Sequence, residues 1–416
     1  MKEKVRFIHA ADLHLGAPFR GLNSISETWA KRLLNATQQS YDKIIQEALE
    51  YKVDFVIFAG DIFDTSKPSY AQYHHFVNGV KKLEKFDIPV YMCLGNHDPF
   101  ISWNNTYENL PQNLFMFPPG NTPGIFIYKK EGVPLVSLIG KSFYTQSWSL
   151  KDDILQGISQ SSIYNQTKTT TPFTVGVLHS GLHFDPLKAP ASIDEMYTRN
   201  LNYWALGHIH KPWKDNPSNP KIVYSGCIQG RDIKESGPRG CFLVTLEKDK
   251  ANKVKFIPTA QVAWSTISLD VSSCQTIAEI SQAAVQRFFE ESSNALCNEM
   301  CVRLVLKGQT NLNTLLKQQA CLDDLQNLIN DTCKDFYCDA IYNDTTAIIS
   351  EESLLRENLF PSVCIEVANS YALNIEHIES ELVKDFEENR IFFQGIDVNS
   401  LPQKAKMRVL EKLLNK

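Results

Sequence analysis

The sequence predicts an α/β fold, a four-layer αββα sandwich followed by a smaller α+β cap domain and a helical C-terminal segment. Short apolar runs alternate with helical periods near the start of the chain, and strand-like runs dominate from Leu114 to about Trp264. The composition then shifts towards Asn, Gln and Cys. We therefore expect a main domain over residues 1–265, a cap domain over residues 266–350 and a helical segment over residues 351–416.

The first part of the chain has the pattern of strand–helix–strand units in a largely parallel sheet. The predicted strands are residues 5–11, 53–59 and 88–94, and the predicted helix between the last two is residues 70–86. An earlier helix has candidate N-caps at Ser24 and Ser26, and Glu27 suits the positive end of its dipole. Apolar strands of this kind fit a sheet that is covered on both faces.

A second sheet is predicted from the short strands of the middle region. Its predicted strands are residues 124–128, 133–139, 173–178, 203–206, 221–225 and 240–246. This sheet packed on the first, with helices outside both, makes the four layers.

The rest of the chain predicts a cap domain and two terminal helices. The predicted cap contains a strand at residues 267–271, a helix at 277–289 and a strand at 301–307. The first terminal helix has an apolar face made by Ile375, Ile378, Leu382, Val383 and Phe386. The second terminal helix has an apolar face made by Met407, Leu410 and Leu414. Gly395 and Pro402 divide the two helices.

Charge and composition exclude several classes of protein. Lys and Arg number 42 against 47 Asp and Glu, and the net charge of −5 opposes general attraction to nucleic acid or anionic membranes. A polyanionic partner must therefore bind to a local patch of positive charge. No apolar run approaches the roughly 18 residues of a spanning helix, so we expect a cytoplasmic protein without a membrane partner. The ten cysteines are expected to be thiols in the core.

Five polar clusters follow predicted strands. They are Asp12-Leu13-His14, Gly60-Asp61-Ile62-Phe63-Asp64, Gly95-Asn96-His97-Asp98, His179 and Gly207-His208-Ile209-His210. The first three are separated by one crossover helix each, which places them along the same edge of a parallel sheet. On extended backbone the two residues of the pairs Asp12/His14 and His208/His210 would point to the same side. The glycines would bring backbone close to the ligands.

These clusters predict a metal centre. Two aspartates, one asparagine and four histidines form a set of oxygen and nitrogen donors without thiolate, which suits Mn²⁺, Fe²⁺ or Zn²⁺ better than Mg²⁺ or Ca²⁺. Seven protein ligands are too many for one ion. Two ions about 3.5 to 4 Å apart that share one carboxylate would use them all.

In this order the clusters resemble the calcineurin-like metallophosphoesterases over roughly residues 5–245. The segments around Asp12, Asp61 and His208 also resemble the SbcD-like DNA repair exonucleases, as does the run from Tyr224 to Gly230 that precedes Glu235, Gly237 and Gly240. Within that family the chain resembles the bacterial YhaO-type subunits.

The resemblance implies a role for each site residue. Asp12, His14, Asp61 and His210 would hold one ion, and Asp61, Asn96, His179 and His208 would hold the other. His97 would be the general acid, because a protonated imidazole assists the departure of a poor alkoxide leaving group. The neighbouring Asp98 would orient its ring. Lys67, Arg231, Lys234 and Arg239 would neutralise phosphates, although scattered surface charge explains them equally well.

The resemblance also implies the activity: a DNA exonuclease or endonuclease with Mn²⁺ preference and 3′-to-5′ polarity. It would act as a homodimer with an SMC-like coiled-coil ATPase that docks on residues 351–416. Two alternatives stay open: hydrolysis of a small phosphoester or phosphoprotein, and a DNA-end tether whose nuclease activity is incidental. The chain departs from many relatives at Asp64, where archaeal and eukaryotic members have histidine, and at Cys227 and Ile228, where many have Ser-Pro.

Overall fold

The computed structural model describes residues 3–19, 27–104, 110–149, 152–185, 187–348, 351–357, 360–372 and 401–414. The chain divides into two compact units. One contains Met1–Thr266, Phe288–Val302 and Asp335–Asp339, and the other contains Ile267–Arg287, Arg303–Lys334 and Ala340–Lys416.

The predicted strand–helix–strand pattern is confirmed at the start of the chain. The elements are β1 (Lys4–Ala10), α1 (Glu27–Glu50), β2 (Phe55–Ala59), α2 (Tyr70–Glu84) and β3 (Val90–Cys93). The three strands are neighbours and run parallel. Helix α2 begins at a capping box in which Ser69 and Gln72 satisfy each other's backbone N–H groups. The predicted caps of α1, Ser24 and Ser26, lie outside the described residues.

Nine further strands complete the two large sheets, and three short helices lie between them in the chain. They are α3 (Phe100–Asn104), β4 (Leu114–Met116), β5 (Gly124–Lys130), β6 (Val133–Gly140), α4 (Gln160–Thr167), β7 (Phe173–His179), α5 (Ile193–Thr198), β8 (Tyr203–Gly207), β9 (Trp213–Lys214), β10 (Ile222–Tyr224), β11 (Gly240–Glu247) and β12 (Lys253–Pro258) in the described part of the chain. The strand orders are β12-β11-β1-β2-β3-β4 and β5-β6-β7-β8-β10-β9.

The assignment of residues 240–246 to the second sheet was wrong. Strand β11 pairs antiparallel with β1, from Lys4 opposite Glu247 to His9 opposite Phe242, and so belongs to the first sheet. The pairing covers the backbone polar groups of β1, which would otherwise be an open edge beside a buried strand. A strand's own sequence does not indicate which sheet it joins.

The four-layer sandwich is confirmed by three apolar clusters. Along β2, Val56 and Phe58 pack towards α1 and α2, whereas Phe55 and Ile57 pack towards the second sheet. The central cluster joins these residues to side chains such as Val175 of β7. A third cluster covers the other face of the second sheet with residues of α4 and α5. Each sheet is therefore buried on both faces.

The remaining elements include a third sheet, of order β13-β14-β15. They are β13 (Val262–Asp270), α6 (Ile277–Ala295), β14 (Glu299–Gln309), α7 (Asn313–Leu316), α8 (Gln319–Thr332), β15 (Phe336–Thr346), α9 (Glu351–Glu357), α10 (Phe360–Ala372) and α11 (Leu401–Leu414). The second predicted terminal helix corresponds to α11. The first, with its apolar face from Ile375 to Phe386, lies outside the described residues, as does Gly395.

The prediction that the cysteines are core thiols is met in part. None of the ten forms a disulfide, and seven are buried, whereas Cys321, Cys333 and Cys364 are half-buried. No helix in the described ranges has the length and apolar character needed to cross a membrane.

Candidate metal centre

The five polar clusters meet at one edge of the two large sheets. The loop after β1 contacts the loop after β2, where the N–H groups of Asp12 and His14 donate to the carbonyls of Gly60 and Asp61 at 3.0 Å each. The loop after β8 joins them, because the N–H of His208 donates to the Asp12 carboxylate at 3.0 Å. The predicted shared edge is therefore present, and the second sheet contributes to it.

The geometry that brings the ligands together differs from the prediction. Strand β1 ends at Ala10, and Asp12 and His14 have φ values of 50° and 44°. Asp61 and His208 also have positive φ, at 51° and 97°. The side chains of Asp12/His14 and of His208/His210 therefore do not converge through the alternation of side chains along an extended strand, which was the reason given for the prediction. Left-handed turns, which cost free energy in residues other than glycine, aim these side chains instead.

Two groups of side chains could each hold an ion. Asp12, His14 and His210 form one group, and Asp12, Asp61 and His179 form the other. Oδ2 of Asp61 lies 3.8 Å from Nε2 of His14 and 3.4 Å from Nε2 of His179. Asp61 thus stands between ligands of the two groups, where a bridging carboxylate would be.

Each histidine of the centre has a polar partner beside one ring nitrogen, and His179, His208 and His210 are hydrogen-bonded through that nitrogen. Nδ1 of His179 contacts the carbonyl oxygen of Ala59 at 3.0 Å, Nδ1 of His210 contacts Glu235 at 2.6 Å, and Nδ1 of His14 lies 3.2 Å from Asp64. For His208 the held atom is Nε2, 3.0 Å from Asp185, which leaves Nδ1 for an ion. Such outer partners fix the tautomer and orientation of metal-binding imidazoles.

The donor set fits divalent cations. Nε2 of His14 and Nε2 of His210 face each other at 3.1 Å, and Nε2 of His179 faces Oδ1 of Asn96 at 3.2 Å. Converging lone pairs in a buried site repel one another unless a proton or a cation lies between them. The nearby Cys227 does not change the donor type, because burial raises the pKa of its thiol to about 12. All seven predicted ligands therefore lie at this centre.

A proton on His179 offsets part of the negative charge of Asp61. Burial alone would lower the pKa of His179, but the negative charge of Asp61 outweighs it and raises the pKa to about 9. The His179 cation in turn holds the pKa of Asp61 far below its usual range, against the effect of burial. A metal ion held by Asp61 and His179 would supply the positive charge in place of this proton.

Three glycines are needed for the close approach of these loops. A Cβ on Gly95 would lie 2.1 Å from Oδ1 of Asp61, and one on Gly60 would lie 2.3 Å from Nδ1 of His179. A Cβ on Gly207 would lie 2.0 Å from the carbonyl oxygen of Ala59. The expectation that these glycines bring backbone close to the ligands is therefore met.

The predicted general acid lies at the open side of the centre. The His97 side chain is 40% exposed, whereas those of His14 and Asp61 are each 2% exposed. Its backbone N–H donates to Asp61 at 2.9 Å, and its Nδ1 donates to the carbonyl oxygen of Asp64 at 2.9 Å. Nε2 is therefore the ring atom that can exchange a proton with a substrate.

Asp98 does not orient His97 as predicted. Its carboxylate accepts hydrogen bonds from the backbone N–H groups of Ile62, Phe63 and Gly95. Burial, followed by the charge of Asp61, raises the pKa of Asp98 well above its usual range. Asp98 thus ties two loops together, and Asp64 holds the ring of His97.

The predicted phosphate-binding residues divide into two groups. Arg239 is buried, and its guanidinium donates to the carbonyls of His210, Glu235 and Ser236, so its role is structural. Arg231 donates to Asp64 at 2.8 Å and to Glu235 at 3.1 Å, which engages its charge within the protein.

Lys67 and Lys234 are exposed. Their phosphate contacts stay a prediction.

Comparison with known proteins decides the family. A family model for Calcineurin-like phosphoesterase matches residues 5–212, and a model for Metallophosphoesterase YhaO, middle domain, matches residues 264–346. The chain is 31% identical over 312 residues to an uncharacterized metallophosphoesterase, YhaO, of Bacillus subtilis (strain 168), which covers 74% of this chain and 73% of that protein. The chain belongs to the calcineurin-like phosphoesterase family. The resemblance inferred from the five clusters is thereby confirmed.

More distant relatives have names that state a function. The chain is 26% identical over 281 residues to the DNA double-strand break repair protein Mre11 of Methanosarcina acetivorans, covering 65% of this chain but 41% of that protein. It is 24% identical over 418 residues to the protein of the same name from Methanococcus maripaludis, covering 94% of each. Calcineurin-like phosphoesterases hydrolyse phosphoesters and depend on two metal ions, for which this chain provides candidate ligands.

Sequence reasoning missed two outer partners of this phosphoesterase centre. Asp185 lies in the loop after β7, and no spacing in the sequence connects it with His208. Glu235 belongs to a segment that carried the family resemblance, but its contact with His210 depends on the path of the loop before β11. Arg231, Asp64 and Glu235 together form a clamp behind His14 and His210.

We expect Glu235→Ala to lower the affinity for Mn²⁺ roughly 10- to 100-fold, because His210 would lose the partner that orients it. Glu235→Gln should have a smaller effect, since the amide oxygen can still accept from Nδ1. Titration calorimetry with Mn²⁺ measures both. Asp194→Ala, at an exposed acid in the first turn of α5, is the control. Parent-like affinity in Glu235→Ala would contradict the assigned role.

Proposed function

We propose that the chain is a dinuclear metal-dependent DNA exonuclease that prefers Mn²⁺ and degrades strands from 3′ to 5′. The observation that carries the proposal is the arrangement of the centre: two ligand groups that share Asp12, with Asp61 between their histidines and an exposed imidazole, His97, at their open side. This arrangement suits a phosphodiester, whose leaving alkoxide needs both charge neutralisation and a proton.

The residues of the centre have distinct tasks. When bound, the two ions supply positive charge that polarises the phosphoryl group and activates water. Asp12, Asp61, Asn96 and the histidines at 14, 179, 208 and 210 hold that charge in place. His97 delivers a proton from Nε2 to the leaving oxygen.

The Asp64 carboxylate lies beside the ring of His97. Oδ1 of Asp64 is 3.8 Å from Nδ1 of His97. Burial raises the pKa of Asp64, but the hydrogen bond and charge of His14 outweigh this and leave it lowered, so the carboxylate is ionised.

DNA as the substrate is supported by the relatives. Two proteins of similar sequence are named DNA double-strand break repair proteins, and one of them aligns over nearly the whole chain. The presence of a second compact unit in the chain also fits a large substrate better than a small one.

The choice of substrate is tested by sizing the products of end-labelled single- and double-stranded DNA. We expect cleavage of DNA with Mn²⁺ exceeding that with Mg²⁺ or Zn²⁺, with mononucleotides released from the 3′ end. Bis(p-nitrophenyl) phosphate serves as the small substrate. Hydrolysis of this diester without cleavage of any oligonucleotide would contradict the proposal and favour a small-phosphoester enzyme.

His97→Ala should reduce turnover of DNA by roughly 10²- to 10⁴-fold, because the leaving oxygen loses its proton donor. Both Mn²⁺ ions should remain bound, which metal analysis after dialysis checks. His74→Ala, a histidine of α2 outside the centre, is the matched control. Cleavage at the parent rate would show that another group supplies the proton.

We also propose that the chain acts with an SMC-like coiled-coil ATPase, and as a homodimer. Support for the ATPase comes from α10, where Phe360, Val363, Val367 and Tyr371 are between 47% and 66% exposed. Their spacing of three and four residues puts them on one face of the helix. Such a stripe suits the apolar seam of a coiled coil.

The double variant Val363→Glu, Val367→Glu should abolish co-purification of the ATPase, because burying two carboxylates in an apolar interface is unfavourable. Nuclease activity on short oligonucleotides should persist. Val133→Glu, at an exposed valine of β6, is the control. Recovery of the ATPase in parent amounts would contradict docking on α10.

A further inference from the structure

Three rings lie together beside the metal centre and belong to no part of the mechanism above. Phe184 is 44% exposed, and its ring centroid is 5.4 Å from that of Trp213 and 4.0 Å from that of His183. We call His183, Phe184 and Trp213 the aromatic platform. Trp213 meets Phe184 at an interplanar angle of 72°, so the two rings do not stack on each other.

The aromatic platform is tied to the centre at both ends. Asp185, the residue after Phe184, contacts Nε2 of His208 at 3.0 Å. Trp213 begins β9, three residues after His210. Beneath the platform, Tyr224 contacts the rings of Phe184 and Trp213 and donates its hydroxyl to the carbonyl of Ser180. The platform therefore rests on the second sheet next to two predicted metal ligands.

Positive charge accompanies the rings. Lys188 lies in the same loop as Phe184, and Lys211 follows the ligand His210 directly. Lys211 is exposed and Lys188 is half-buried, and neither forms a salt bridge within the described residues. Leu187, in the same loop, is 70% exposed. Exposed apolar groups interleaved with cations are poorly explained by packing and match the chemistry of a nucleotide, which has a ring and a phosphate.

We propose that the aromatic platform stacks a nucleobase of a single strand whose neighbouring phosphodiester lies at the metal centre. This deepens the proposed function and rests on it. Base stacking on an aromatic side chain tolerates any sequence, because every base has a π-face. The platform would thus favour unpaired strand ends, with Lys188 and Lys211 meeting the flanking phosphates.

Two probes separate base recognition from chemistry: a single-stranded oligothymidylate and an abasic oligomer of the same length and charge. With the full chain and Mn²⁺, Phe184→Ala should raise the KM for oligothymidylate roughly 5- to 100-fold. The affinity for the abasic oligomer and the rate of its cleavage should stay at parent values, because it has no base to stack. Phe184→Tyr should restore the KM, since a tyrosine ring also stacks.

Phe86→Ala is the matched control, because Phe86 is 65% exposed and lies between α2 and β3, at the end of the parallel strands opposite the centre. Equal affinity of the parent for the oligothymidylate and the abasic oligomer would overturn the platform, as would a parent-like KM in Phe184→Ala. Tighter binding of the oligothymidylate without its cleavage would support the platform and contradict the nuclease. Fluorescence anisotropy measures this binding separately from turnover.

Discussion

Mutual repulsion between buried polar groups is the constraint on which this structure depends. Two carboxylates and several imidazoles converge in a site whose inner ligands, Asp12, His14, Asp61 and His179, are buried. Desolvation makes such a set unfavourable unless positive charge compensates it. Much of the surrounding architecture serves that purpose: left-handed turns aim the ligands, glycines admit them, and an outer layer of carboxylates and carbonyls fixes each ring.

The clamp of Arg231, Asp64 and Glu235 keeps the charge of an arginine within the protein. The Asp64 carboxylate contacts Arg231, His14 and His97. The guanidinium of Arg231 is thereby engaged by two carboxylates that also contact metal-binding rings. The positive surface required by a substrate must come from other residues, since the overall charge is −5.

The sequence was sufficient for the sandwich and for the meeting of the polar clusters at one edge, because both depend on local signals. Apolar runs with their periodicity indicate strands and helices, and polar residues directly after strands indicate an edge site. It was insufficient where distant segments meet. The pairing of β11 with β1, the positive φ of Asp12 and the contact of Asp185 with His208 all depend on the folded paths of separate loops. Asp98 shows the related error of treating a sequence neighbour as a spatial partner.

The hydrogen bond from His208 to Asp12 joins residues that are 196 positions apart. Closing so long a loop carries a large entropic cost, and an ion shared by the two segments acts as a removable crosslink across it. Each candidate ligand group combines Asp12 with a histidine at position 179 or 210, so it is complete only when most of the catalytic unit has been synthesised. Binding of a cation would therefore be coupled to the folding of this unit as a whole.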